Sequence, residues 1–205
     1  MVVPRRSWLL LLTLFGGPMP EPMERPRGSF EVVLPRTLIH EGGWYDGSKP
    51  HDPNPTMKGV TQATYDAWRT RRGLPTQTVR KIMPQELESI YRTYWSAVQG
   101  DLYGPMTAEL MFDHAVNAGP VAAIRALQRT LGLDDDGVIG PKTRAAIAWA
   151  EDEPLAAALG YERLKEYCRI ARNPVKRPAL LSWVTRVLGP GREAADACLG
   201  TPDRG

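Results

Sequence analysis

Glu41 is the side chain whose type and setting first suggest chemistry. It closes an apolar stretch with helical spacing and stands directly before Gly42-Gly43 and the aromatic pair Trp44-Tyr45. A carboxyl group at that point feels the negative end of a helix dipole and apolar neighbours, and both act to hold its proton, as a general acid requires. The same position also suits an ordinary surface glutamate beside a helix cap. Asp46 and Asp52 follow in the next stretch, and Thr56 lies just beyond them. Cleavage of a glycosidic bond needs a proton donor and usually a second carboxylate that attacks or activates water. A loop aspartate that stays hydrated and ionised can face a protonated partner across a cleft, with Thr56 holding a water. Either aspartate can equally serve as an Asx-turn residue beside proline, and Thr56 as a turn cap.

Further along, Asp113 and Asn117 are four apart and share a helix face with Leu110. That pair can floor a sugar cleft or hold two helices together inside the core. Tyr45, Tyr94 and Trp95 can stack on sugar rings, although Tyr94 and Trp95 border a core stripe, where packing is the expected role for at least one of them. The histidines, His40, His51 and His114, form no H-E-x-x-H or H-x-H pair, and no metal or cofactor is expected. Asp134-Asp135-Asp136-Gly137 does not match a calcium loop, because the first ligand position would be Gly132 and the bidentate one Thr143; it reads as a polar turn.

The elements that must position these groups are short. The chain has 205 residues, with 19 glycines and 19 prolines, so punctuated helices are expected rather than a few long ones. Phe30, Val33, Leu34, Leu38 and Ile39 keep helical spacing up to the Gly42-Gly43 stop, and Pro35 predicts a kink or fresh start within that run. Residues 44–60 show no period and read as a loop or short ribbon. Thr61 caps a helix carrying Tyr65 and Trp68 that stops at Gly73. Pro84 opens one with Leu87, Ile90, Tyr91, Tyr94 and Val98 on one face, ending at Gly100. Further helices are expected at 106–118, 121–131, 142–150, 155–172 and 179–188. The fold class is all-α.

The balance of 26 basic and 23 acidic side chains leaves +3, too weak to argue for nucleic acid. Cys168 and Cys198 are the only cysteines, which excludes a disulfide scaffold and leaves room for one bridge. Arg5, Arg6 and the run Trp8 to Phe15 look like an export signal of a weakly twin-arginine type, too short to span a bilayer and followed by no small-x-small cleavage site.

Several strings resemble glycoside hydrolase family 108 muramidases. They are Glu41-Gly42-Gly43-Trp44, His51-Asp52-Pro53-Asn54-Pro55-Thr56-Met57-Lys58-Gly59-Val60-Thr61, Ile90-Tyr91-Arg92-Thr93-Tyr94-Trp95 and Met111-Phe112-Asp113-His114-Ala115-Val116-Asn117-Ala118-Gly119. Ala126-Leu127-Gln128-Arg129-Thr130-Leu131-Gly132, Asp136-Gly137-Val138-Ile139-Gly140-Pro141, Thr143 and Ser182-Trp183-Val184-Thr185-Arg186-Val187 are similar to the peptidoglycan-binding segment that follows in such proteins. The resemblance implies a lysozyme-like helical fold with a short loop or β-ribbon after the catalytic helix. It implies an N-acetylmuramidase acting on bacterial peptidoglycan outside the cytoplasm, with Glu41 in the catalytic place and Asp52 and Thr56 as partners; Tyr45, Tyr94, Trp95 and Asn117 are then the side chains expected toward substrate. The family usually writes Asp-Pro-Gly-Gly closer to the glutamate. Here Asp52 falls 11 residues after Glu41 and Asn54-Pro55 replace the glycines, so the loop path differs.

The expected organisation is an export-like segment at 1–28, a catalytic domain at 29–119, a helical peptidoglycan-binding segment at 120–189 and a tail at 190–205. A monomer is expected. The rival readings are a lytic transglycosylase, which cuts the same bond to an anhydro sugar, and a non-catalytic wall-binding protein.

Overall fold

The computed structural model of the chain describes residues 25–48 and 54–174, together with Val184 and Val187. Asp52, His51, Cys198 and most of the helix expected at 179–188 lie outside the described residues. Among the described residues the fold is mainly helical: α1 (Phe30–His40), α2 (Gln62–Thr70), α3 (Pro84–Val98), α4 (Pro105–Ala118), α5 (Pro120–Thr130), α6 (Pro141–Trp149) and α7 (Asp152–Ile170). Prolines open α3, α4, α5 and α6, where a missing N–H costs nothing because the first turn has no intrahelical partner for it. α7 starts three residues earlier than its apolar spacing predicts, because Asp152 and Glu153 fill a first turn that favours acidic side chains.

Two local expectations can be set against the structure. α1 runs through Pro35 without a fresh start. Only one ladder bond, from position 35 to Glu31, is forfeited, and burial of Phe30, Val33 and Thr37 on one stripe holds the turns together, while Ile39 is 78% exposed. The short ribbon expected after α1 forms as a small antiparallel sheet of three two-residue strands, β1 (Trp44–Tyr45), β2 (Thr56–Met57) and β3 (Val60–Thr61), in the order β1-β2-β3. The register pairs Trp44 with Met57, Tyr45 with Thr56, and Met57 with Val60. Lys58 and Gly59 join β2 to β3 with φ of 48° and 76°, the paired positive angles of a type I′ turn.

The core is aromatic at its centre. Phe30 of α1, Trp95 of α3 and Phe112 of α4 meet edge to face with centroids 5.7 to 5.8 Å apart. Leu87, Ile90, Tyr91, Trp95 and Val98 form the buried face of α3. The expected stripe used Tyr94 in place of Trp95; the period 87, 91, 95, 98 buries the tryptophan and leaves the tyrosine half-buried.

The second half of the chain is fastened to α4 at two points. Asp152, at the start of α7, accepts hydrogen bonds from the N–H groups of Met106 (2.9 Å) and Thr107 (3.0 Å), capping α4 where Gly104 has no side chain to do so. Asp113 of α4 pairs with the fully buried Arg163 of α7 at 2.7 Å, and Arg163 also donates to the Tyr167 hydroxyl at 2.9 Å. Gln128 is buried on α5, donates to Asp136 Oδ1 (2.7 Å) and Val138 O (2.9 Å), and accepts from Gly137 N (2.8 Å). One amide thus closes the turn between α5 and α6, the polar turn expected for Asp134–Gly137.

Candidate active site

Glu41 is the C-cap of α1, with helical φ and ψ, and Gly42 follows at φ 68°. Its carboxylate reaches over the β2–β3 turn. A Cβ on Gly59 would collide with Glu41 Oε2 and would sit 2.7 Å from the Tyr91 hydroxyl, so the turn must carry glycine both for its positive φ and for this close approach. The Tyr91 hydroxyl donates to Lys58 O at 2.7 Å, which pins the turn to α3. The Lys58 N–H donates to Gly43 O at 3.1 Å, which pins it to the segment just after Glu41. Helix end, hairpin turn and central helix therefore converge on one carboxyl group.

Tyr94 lies one turn further along α3. Burial, together with the neighbouring Glu41 charge, holds its phenol above its ordinary value. A phenol near enough to feel the Glu41 charge, on a half-buried ring, suits a residue that edges a cleft. Tyr45 and Thr56 face each other across β1 and β2, both half-buried, on the strands that carry the turn. Trp44 is 38% exposed, with the Arg80 guanidinium 5.6 Å from its ring centroid.

Other expectations separate from this centre. Trp95 is 3% exposed, its indole N–H donates to Asp101 Oδ1 at 3.0 Å, and its ring lies between Phe30 and Phe112. It packs the core and offers no face to a sugar, which corrects its expected place toward substrate. Asp46 accepts from Ser48 N at 2.9 Å, an Asx turn, and hydrogen bonds from Ser48 hold its carboxyl below the usual range. Asp113 is buried against Arg163 rather than paired with an asparagine across helices. Asn117 is exposed, and its amide donates to Asp113 O of its own helix at 2.7 Å.

Sequence reasoning missed Gly59 and Tyr91 as site residues. Tyr91 was legible only as core, because its ring is core and its hydroxyl alone reaches the site. The signal for Gly59 was the pair Lys58-Gly59 between β-forming residues.

A mainly helical domain that delivers a lone helix-end glutamate over a glycine turn has the architecture of a lysozyme-like glycosidase. Residues 34–119 match the family Glycosyl hydrolase 108, and residues 122–188 match the family described as Predicted Peptidoglycan domain. No curated protein matches the chain. Among solved structures, the one described as "Structure of Brucella abortus SagA" superposes with a TM-score of 0.60 and 29% identity, over 78% of this chain and 94% of that one. The protein is a glycoside hydrolase built from a glycosyl hydrolase 108 domain and a peptidoglycan domain, which together make it a peptidoglycan hydrolase whose partner is the cell wall. Such hydrolases act on a polymer outside the cytoplasm, and among the described residues no helix is long and apolar enough to cross a membrane.

Proposed function

We propose that the protein is an N-acetylmuramidase that cleaves the β-1,4 bond between N-acetylmuramic acid and N-acetylglucosamine, with Glu41 as general acid. The observation that carries this reading is the convergence of α1, the Lys58-Gly59 turn and Tyr91 on the Glu41 carboxyl group. Glu41 gives its proton to the glycosidic oxygen as the bond breaks. The oxocarbenium-like charge that develops calls for a second carboxylate, the role assigned to Asp52, and Thr56 orients the water that completes hydrolysis. Tyr45, Tyr94 and Asn117 line the path of the glycan strand. Residues 29–119 carry the chemistry, and 120–189 hold the wall polymer, with α5 and α7 also packing on α4. The enzyme works as a monomer, without nucleic acid, after export by its N-terminal segment.

Glu41→Gln keeps the shape and removes the exchangeable proton, so lysis of peptidoglycan should fall by about a hundredfold or more while folding and sacculus binding persist. Lysis within tenfold of the parent refutes the assignment. In the same assay Asp52→Asn should lose about a hundredfold and Asp46→Asn little, and the reverse order moves the role to Asp46. Mass spectra of the parental digest should show reducing N-acetylmuramic acid ends. A pool dominated by 1,6-anhydro sugars makes the enzyme a transglycosylase.

A further inference from the structure

We propose that Lys58 and Arg80, with the Trp44 ring, form an anion-reading flank of the Glu41 cleft that receives a carboxylate borne on the muramyl unit of the substrate. The inference rests on the muramidase reading and adds to it what the enzyme recognises beside the scissile bond.

Three observations place the flank. Lys58 occupies the turn that carries Gly59 beneath the Glu41 carboxylate, and its backbone is fixed by the bonds to Gly43 O and from Tyr91. Trp44 is the strand partner of Met57, the residue before Lys58, and leaves 38% of its surface open. Arg80 lies on the short 3-10 turn Val79–Lys81, with its guanidinium 5.6 Å from the Trp44 ring. That turn is held firmly: Val79 N donates to Gln62 Oε1 at 2.7 Å, and Gln62 Nε2 donates to Gln77 O at 2.8 Å, tying it to the residue that follows β3. Both cations are therefore presented from anchored backbone.

Neither cation is held in an ion pair among the described residues. Arg36, Arg69, Arg92, Arg129, Arg163 and Arg169 each lie within ion-pair distance of a carboxylate. Among the described residues Lys58 and Arg80 have no such partner, as is true of Arg71, Arg72, Lys81 and Arg144 as well; what sets these two apart is their place at the Glu41 turn and on the Trp44 ring, and both are exposed. A guanidinium resting on an aromatic ring keeps its planar fork of N–H donors available, which suits a carboxylate in bidentate fashion. The tryptophan beside it offers an apolar face for a pyranose ring. A neutral N-acetylglucosamine polymer gains nothing from two such charges. The muramyl unit carries a lactyl group, and its carboxyl is either free or extended by a peptide stem that bears further carboxylates. That chemistry, a sugar with an anion one substituent away, matches a tryptophan flanked by two exposed cations.

The test measures binding in Glu41→Gln protein, so that its outcome does not depend on which bond the parent cuts. Soluble tetrasaccharides of three kinds are titrated: neutral N-acetylglucosamine tetramer, glycan tetramer with free lactyl carboxylates, and glycan tetramer with peptide stems. Adding Lys58→Gln and Arg80→Gln should weaken binding of the carboxylate ligands roughly three- to tenfold, flatten their salt dependence and leave the neutral tetramer unchanged. Loss confined to the stem-bearing ligand assigns the flank to the peptide, and loss on the stripped ligand as well assigns it to the lactyl carboxylate. Unchanged affinity for both, or equal loss on the neutral tetramer, overturns the proposal. A parent that releases no saccharide fragments refutes the hydrolytic reading instead, and is seen in a separate digest.

Discussion

Gly59→Ala separates the stability of the fold from the placement of the Glu41 carboxylate. The substitution puts a methyl group about 1 Å inside ordinary van der Waals contact with Glu41 Oε2, and 2.7 Å from the Tyr91 hydroxyl. It also forces a side chain into a backbone with φ 76°, at a cost of about 1–2 kcal/mol. A domain with a stability of roughly 5–15 kcal/mol survives that, so the melting temperature should drop by only about 2–8 °C. The carboxylate, however, must retreat by about the overlap, and a misplacement of that size costs on the order of a hundredfold in rate. Gly73 supplies the comparison: its φ is 66°, and nothing lies within 4 Å of a Cβ built there. Gly73→Ala should therefore carry the same strain and thermal shift without the loss of rate. Turbidity loss of a sacculus suspension, at matched folded fraction from circular dichroism, reads both. Parental kcat in Gly59→Ala, or an equal kcat loss in Gly73→Ala, refutes the argument that the turn positions Glu41.

Three other outcomes follow from the same geometry. Tyr91→Phe deletes the bond to Lys58 O but keeps the ring packed on Phe112, so stability should fall by about 1 kcal/mol and kcat by roughly tenfold; Tyr103→Phe, which loses a similar bond to Val98 O, should lose stability alone. Asp152→Ala uncaps α4 and should cost about 1–2 kcal/mol, with faster amide exchange at Met106 and Thr107. Burial, reinforced by the Arg163 charge, pushes the His114 imidazole down to about 3, so the unfolded chain binds the extra proton between that value and the ordinary 6.5. Stability should then fall by up to about 1.4 kcal/mol for each unit of acidification across that window, measured by urea unfolding, and His114→Gln should flatten the slope.

The helices were legible in the sequence because their ends are written in prolines, glycines and Thr61, which act locally. The sheet was legible only as a loop or short ribbon. A strand of two residues such as Thr56–Met57 is too short to show an alternation, and it forms only because β1, the turn and α3 meet around it. Glu41 was legible from its place before Gly42-Gly43 together with the strings that surround it. Tyr94 and Trp95 show the limit of periodicity: they are adjacent, both fit a stripe that includes Tyr91, and only the positions of Phe30 and Phe112 decide which one is buried. Arg163 as partner of Asp113 was invisible for a related reason, since the two are fifty positions apart. Spacing along one helix says nothing of a residue delivered by another.

The contacts that hold Glu41 differ from those that hold the domain, and this bears on why the peptidoglycan segment follows the hydrolase segment so closely. Glu41 is set by α1, the Lys58-Gly59 turn and Tyr91, all within the first segment. Its support is less self-contained: α4, whose Phe112 packs against Phe30, Tyr91 and Trp95, takes its N-terminal cap from Asp152 and the counter-charge of its buried Asp113 from Arg163. A chain ending near Gly119 would lose the packing of α5 and α7 on α4, the Asp152 cap and the Arg163 partner of Asp113 together, losses that a helix of 14 residues does not recover alone. The peptidoglycan segment is thus also part of the scaffold on which Glu41 is mounted. Its removal should be felt first as a loss of fold and only through that as a loss of chemistry.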